Sequence, residues 1–179
     1  LIPDRTALPT VDALYLKAVT DSIAGEHAAA VKSYSEIARL APNDAQVFVD
    51  LGRAYERNNE TDKAIENFVK AASVNAQYAT AYLRAGIVYA RKQETASATA
   101  AFDRSESLYQ TLGNVEGVNE VLRNRGVLFR RTARYDDARA QFLHCRWTDV
   151  DAHLALQIDP CRGYGCACPI LTCFDSVPQ

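Results

Sequence analysis

Leu14, Phe48 and Tyr82 stand 34 residues apart, and the same step separates Ala30, Ala64 and Ala98. It recurs in Tyr34, Phe68 and Phe102, in Gly52 and Gly86, and in Tyr55 and Tyr89. A fixed period of this length is the signature of stacked structural units, each a supersecondary element that cannot bury its apolar face alone. In the second unit, Phe48, Leu51, Gly52 and Tyr55 recur at three- and four-residue steps, so they share one helix face. Asn58-Asn59 supplies a turn, and Ala64, Phe68 and Ala71 lie on one face of a second helix. Small residues at Gly52, Ala64 and Ala71 let the two helices approach closely, with aromatic rings filling the space beside them.

These positions resemble the tetratricopeptide repeat: an aromatic, Leu-Gly and Tyr on the first helix, then Ala and Phe on the second. The second unit matches as Phe48, Leu51-Gly52, Tyr55, Ala64, Phe68 and Ala71, and the third as Tyr82, Ala85-Gly86, Tyr89, Ala98 and Phe102. The first is looser, with Leu14, Ala18, Ala30, Tyr34 and Pro42, and has Asp21 where the family usually has Tyr. A fourth unit appears as Leu122, Gly126, Phe129, Ala138 and Phe142, six residues out of phase. The extra residues fall around Leu112–Gly117 and resemble a longer variant of the repeat. The resemblance implies an all-α, right-handed superhelical solenoid of about four helix pairs. Its repeats cover about 11–44, 45–78, 79–112 and 119–152, within an array spanning 10–147, after a lead-in of residues 1–9. Helices are predicted near 10–22, 26–40, 44–57, 61–74, 78–91, 95–110, 115–131 and 135–147. Thr10, Asn43-Asp44, Thr61-Asp62 and Tyr135-Asp136-Asp137 serve as start signals, with breaks at Pro42 and Gly113-Asn114.

The chain changes character after Phe142. All five cysteines, Cys145, Cys161, Cys166, Cys168 and Cys173, fall in the last 35 residues. Residues 148–179 read as an atypical Cys-rich tail. Three readings compete: a segment alien to the repeat fold, a short capping helix near 149–158 followed by irregular chain, or a metal- or redox-responsive module. The C-x4-C-x-C-x4-C spacing is not the paired C-x2-C of a closed zinc site. His144 and His153 could add nitrogen ligands, yet nothing in the spacing demands it, so no metal and no cofactor is assigned.

Net charge is −2 over 179 residues, which points to neither nucleic acid nor a membrane surface. No run of 18 apolar residues suggests a spanning helix. Leu1-Ile2-Pro3-Asp4 lacks a basic leader and an apolar core, and the chain has no Met. The reading is a cytoplasmic piece of a longer protein, a processed one, or an engineered truncation. The sequence has no G-x-S-x-G, no phosphate loop and no H-E-x-x-H. His27 sits among alanines, and Asp136-Asp137 suits a helix start through its dipole. The chain reads as a non-enzyme.

The resemblance also implies that the first helix of each pair lines a concave groove. Candidate groove residues are Val49, Arg53 and Arg57 in the second unit, and Leu83, Arg84, Ile87 and Arg91 in the third. The fourth contributes Arg123, Asn124, Val127, Arg130 and Arg131. Arginine forks suit carboxylates and phosphates in two-point contacts. One reading is therefore a protein partner that presents an acidic peptide or helix, with Val49, Leu83, Ile87 and Val127 giving apolar contact. The competing reading pairs these arginines with neighbours such as Asp50 and Glu56. Chaperone-binding members of the family hold a terminal carboxylate with a fixed residue set. At those positions this chain has Tyr15, Val19, Asp50, Thr80 and Arg84, and only Arg84 agrees. The stretch Leu112–Gly126 looks like repeats downstream of serine/threonine kinase or winged-helix domains in bacterial signalling proteins. This implies, as an alternative, a sensing or regulatory region of such a protein. An array end without a polar cap could also self-associate.

Overall fold

The structure is a computed structural model describing residues 10–144. Eight helices run α1 Thr10–Ile23, α2 His27–Leu40, α3 Ala45–Arg57, α4 Thr61–Val74, α5 Ala79–Arg91, α6 Thr95–Thr111, α7 Val115–Arg131 and α8 Tyr135–His144. Each packs on the helix before and after it. The odd-numbered helices also touch one another, α3 against α5 and α5 against α7. The described residues are thus an all-helical solenoid of four helix pairs.

The recurring Gly and Phe explain how each pair closes. A Cβ added at Gly52 would lie 2.5 Å from the Phe68 ring, and one at Gly86 2.7 Å from Phe102. One at Gly126 would lie 2.8 Å from Phe142. In each unit the first helix gives up its side chain so that a ring sixteen residues later can lie on its backbone. Phe48, Phe68 and Phe102 are buried, as are Ala30, Ala64, Ala98 and Ala138. Burying each such ring stabilises the array by about 1.5–3 kcal/mol. The first unit uses Ala18 in place of glycine. Its ring partner Tyr34 keeps 9% of its surface exposed, where Phe68 and Phe102 keep none.

The turns inside the pairs repeat one geometry. Gly25, Asn59, Gln93 and Ala133 all have positive φ, at 81°, 62°, 64° and 58°. Just after each, a backbone N–H reaches back five residues: Glu26 to Asp21, Glu60 to Tyr55, Glu94 to Tyr89 and Arg134 to Phe129. This closure satisfies carbonyls at the helix end that have no partner within the helix. Glycine and asparagine suit the left-handed conformation, whereas glutamine and alanine hold it at a cost.

The six-residue phase shift is resolved by length. α6 is three residues longer than α4, and α7 is four longer than α5. The link between α6 and α7 is one residue shorter than that between α4 and α5. Asn114 caps α7 by accepting the Gly117 N–H at 2.7 Å, and Gly117 lets the Tyr109 ring lie against the backbone. Of the start signals, Asp44 does cap α3, accepting the Gln46 N–H at 2.9 Å. Thr61-Asp62 opens α4 as the sequence suggests, behind an N-cap, Glu60, whose side chain makes no capping bond. Thr10 needs correction: it is the first residue of α1 rather than the residue before it.

The joint between the third and fourth pairs differs chemically from the others. Arg125 occupies the position of Leu51 and Ala85, immediately before the repeat glycine, and is only 7% exposed. It donates to Asp103 and Glu106 of α6, each at 2.7 Å, and to Gln141 of α8 at 3.3 Å. The equivalent positions one joint earlier are Ala85, Val69 and Ala72. At these positions an ionic clasp stands where the earlier joint is apolar, beside a cluster in which Leu108 and Tyr109 meet Val121 and Leu128. The Cys-rich tail and its five cysteines lie outside the described residues.

Candidate functional site

Three hollows that share bordering residues form a trough along the first helices of the pairs. One end is a cavity of about 280 Å³ bounded by Val19, Ser22 and Ile23 of α1, Tyr34 of α2, and Asp50, Arg53, Ala54 and Arg57 of α3. Next comes a cleft of about 420 Å³ lined by Arg53, Glu56, Arg57, Arg84 and Arg91. A third hollow, of about 430 Å³, is lined by Ala90, Arg91, Gln93, Thr95, Leu128, Arg131 and Thr132. Arg53 and Arg57 border the first two, and Arg91 borders the last two. The trough therefore carries five arginines against two acids, Asp50 and Glu56, in a chain whose net charge is −2.

Local structure explains the placement. Arg57 ends α3, and Arg91 ends α5, while Arg131 ends α7. Cations in a last turn complement the partial negative charge of the helix C-terminus. Three consecutive first helices thus bring their basic ends to the same side of the solenoid.

Some of this charge is already answered within the array. Arg91 on α5 ion-pairs with Glu56 on α3. Arg53 lies 3.6 Å from Asp50, and Arg84 4.0 Å from Glu120. Both distances are longer than the roughly 2.7–2.9 Å of a charge-assisted hydrogen bond. The Nε atoms of Arg53 and Arg84 are buried and have no hydrogen-bond partner. Arg57 is exposed and forms no ion pair with any described residue. Asp50 accepts from the Gln46 amide at 2.9 Å. Burial nevertheless raises its carboxyl above the usual range, with the Gln46 bond and Arg53 pulling the other way. The Tyr15 phenol is pushed up to about 12, first by burial and then by the charge of Asp50.

The apolar half of the expected site needs correction. Val49 and Leu83 are 0% and 1% exposed and cannot meet a ligand here. Val49 packs in one cluster with Ala81, Ala85 and Val88 of α5, and Leu83 sits in the next cluster with Val121 and Leu128 of α7. Adjacent first helices touch directly, and this contact consumes the apolar residues that face along the groove. Ile87 is half-buried against the second of these clusters, and Val127 against Phe129, Ala138 and Phe142 at the α7–α8 interface. Asn124 bonds back to the Glu120 carbonyl at 2.7 Å. Arg123 and Arg130 are exposed on α7 but border none of the three hollows. The structure brings together Arg53, Arg57, Arg84 and Arg91, with Arg131 further along.

Among the described residues, no group of three or more His, Cys, Asp or Glu side chains could hold a metal ion. No helix among them is long and apolar enough to cross a membrane.

Residues 45–78 match the family model of the tetratricopeptide repeat. No curated protein matches the sequence. Among solved structures, the fold is similar to that of TTC0263, a thermophilic TPR protein of Thermus thermophilus. The TM-score is 0.69 at 22% identity, over 86% of this chain and 84% of that one. MamA gives a TM-score of 0.63 at 22% identity, over 83% of this chain and 79% of its own. The TPR2B domain of yeast Sti1, solved in complex with pHsp70, gives 0.61 at 21% identity, over 69% of this chain and 96% of that one. The chain thus carries a tetratricopeptide repeat at residues 45–78, in an array with the fold of tetratricopeptide-repeat proteins.

Proposed function

We propose that this tetratricopeptide-repeat array is a protein-interaction scaffold whose trough takes an acidic segment of a partner protein. One observation carries the reading. Arg53, Arg57, Arg84 and Arg91 converge on one cleft with a single carboxylate, Glu56, in a chain that is otherwise slightly acidic. The yeast Sti1 domain, solved with a protein ligand on the same fold, supports binding as the role of such an array. The array in this reading does no chemistry; it holds a partner in place.

With Val49 and Leu83 consumed by packing, affinity rests on charge and hydrogen bonds more than on apolar anchors. Hydrogen bonds to charged groups contribute about 1.5–3 kcal/mol each, less where solvent screens them. Fluorescence anisotropy with an acidic peptide pool and its lysine-substituted counterpart is the direct test. The acidic pool binds, weakens steeply as salt rises, and loses roughly tenfold in affinity in the Arg57→Ala/Arg84→Ala double variant. Equal binding of acidic and basic pools, or an unaffected double variant, would overturn the reading.

A further inference from the structure

We infer that the cleft between α3 and α5 is a phosphate site, so that the trough's preferred partner is a peptide bearing a phosphorylated side chain. The inference deepens the acidic-peptide reading and rests on it. The first observation is the imbalance of donors and acceptors. Four guanidinium groups border a cleft of about 420 Å³ whose one carboxylate, Glu56, is already paired with Arg91. Arg57 forms no ion pair with any described residue, and the carboxylates nearest Arg53 and Arg84 stand at 3.6 and 4.0 Å. Three of the four forks therefore have donors to spare.

The second observation is independent of net charge. The Nε atoms of Arg53 and Arg84 are both buried and unpartnered. Those atoms are closed to solvent, and it is the rest of each side chain, 39% exposed in Arg53 and 29% in Arg84, that can meet an acceptor in the cleft. These two side chains border the same cleft from neighbouring repeats.

The third argument is stoichiometric. A carboxylate carries one charge and fills one fork. A phosphate monoester carries about −1.5 to −2 charges near neutral pH and offers three acceptor oxygens, enough to engage two or three forks at once. Glu56 pairs with Arg91, and Asp50 and Glu120 stand 3.6 and 4.0 Å from Arg53 and Arg84, so the excess lies in unused donors, which three acceptor oxygens on one group meet better than a carboxylate's two. The residues lining the cleft include no aromatic ring, so it lacks the stacking platform that single-stranded nucleic acid requires.

The experiment uses the full chain and three versions of one degenerate acidic peptide library, with serine, phosphoserine or glutamate fixed at the centre. Binding is read by anisotropy, and inorganic phosphate serves as competitor. The expected result is affinity for the phosphoserine library about tenfold above the glutamate library, reversed by inorganic phosphate. Arg57→Ala, at an exposed position that forms no ion pair among the described residues, erases that advantage without shifting the thermal midpoint, and Arg84→Lys reduces it. Equal affinity for phosphoserine and glutamate overturns the phosphate site while leaving the acidic trough standing. Failure of all three libraries overturns both readings. Displacement of the phosphopeptide by a single-stranded oligoribonucleotide at lower concentration than by unlabelled phosphopeptide also overturns the proposal.

Discussion

Gly86→Ala asks how tightly each pair is closed by its ring. The added Cβ would stand 2.7 Å from both Cδ1 and Cε1 of Phe102, about 1 Å inside ordinary carbon contact at roughly 3.5–4.0 Å. Helix propensity acts in the opposite direction, since Ala gains about 1 kcal/mol over Gly in a helix interior. Phe102 is fully buried, so its ring cannot yield without loosening α6 from α5. Overpacking of this kind costs about 1–3 kcal/mol. The net expectation is a loss of roughly 1–2 kcal/mol. Urea unfolding followed by far-UV circular dichroism measures it. A partner variant sharpens the test. Phe102→Leu alone destabilises by about 1 kcal/mol, yet it vacates the space the new methyl needs. The double variant is then more stable than the sum of the singles predicts, by at least about 0.5 kcal/mol. A Gly86→Ala protein as stable as the wild type, or strictly additive singles, would refute the account.

The ionic joint makes a contrasting prediction in the same unfolding assay. Arg125→Ala destabilises by about 2 kcal/mol, because Glu106 loses its partner in a part-buried site, whereas Arg125→Leu combined with Asp103→Val and Glu106→Ala is at least as stable as wild type. Ala133→Gly, at a φ of 58°, raises stability by roughly 0.5–1 kcal/mol by relieving the left-handed strain; a loss there would mean the alanine methyl is held by packing. Burial raises the Asp50 carboxyl, so above the ordinary carboxylate range the folded state binds its proton more tightly than the unfolded chain does. Stability therefore falls as pH rises through that window. Asp50→Asn should melt higher than wild type near neutral pH and converge with it in acid, and a pH-independent difference would contradict this.

The repeat was legible because its positions obey local rules: a glycine where a ring must lie, alanines where helices touch, a turn residue at a fixed offset. Asn58-Asn59 and Gly113-Asn114 announced their turns through backbone preference alone. Gln93 and Ala133 adopt the same left-handed turn without any such preference, because the closing bond and helix packing impose it. The basic character of the trough was visible in Arg53, Arg57, Arg84 and Arg91, whose long side chains reach past the helix interface. Its apolar character was misjudged at Val49 and Leu83. Periodicity tells which face of a helix a residue shares, but not how much of that face the next helix covers. Arg125 was overlooked, although one signal was present: an arginine standing before the repeat glycine where the other units have Leu51 and Ala85.

That arginine has a consequence for how such an array can change in length. Between the second and third units the seam is built from Ala71, Ala72, Ala81, Ala85 and Val88, and any unit offering small apolar residues on both sides can be spliced in or removed. Between the third and fourth, an inserted unit would have to present carboxylates towards Arg125 and a guanidinium towards Asp103 and Glu106. The seam is keyed. Duplication or loss of units is tolerated ahead of it and penalised across it, so the last two units travel together as one block.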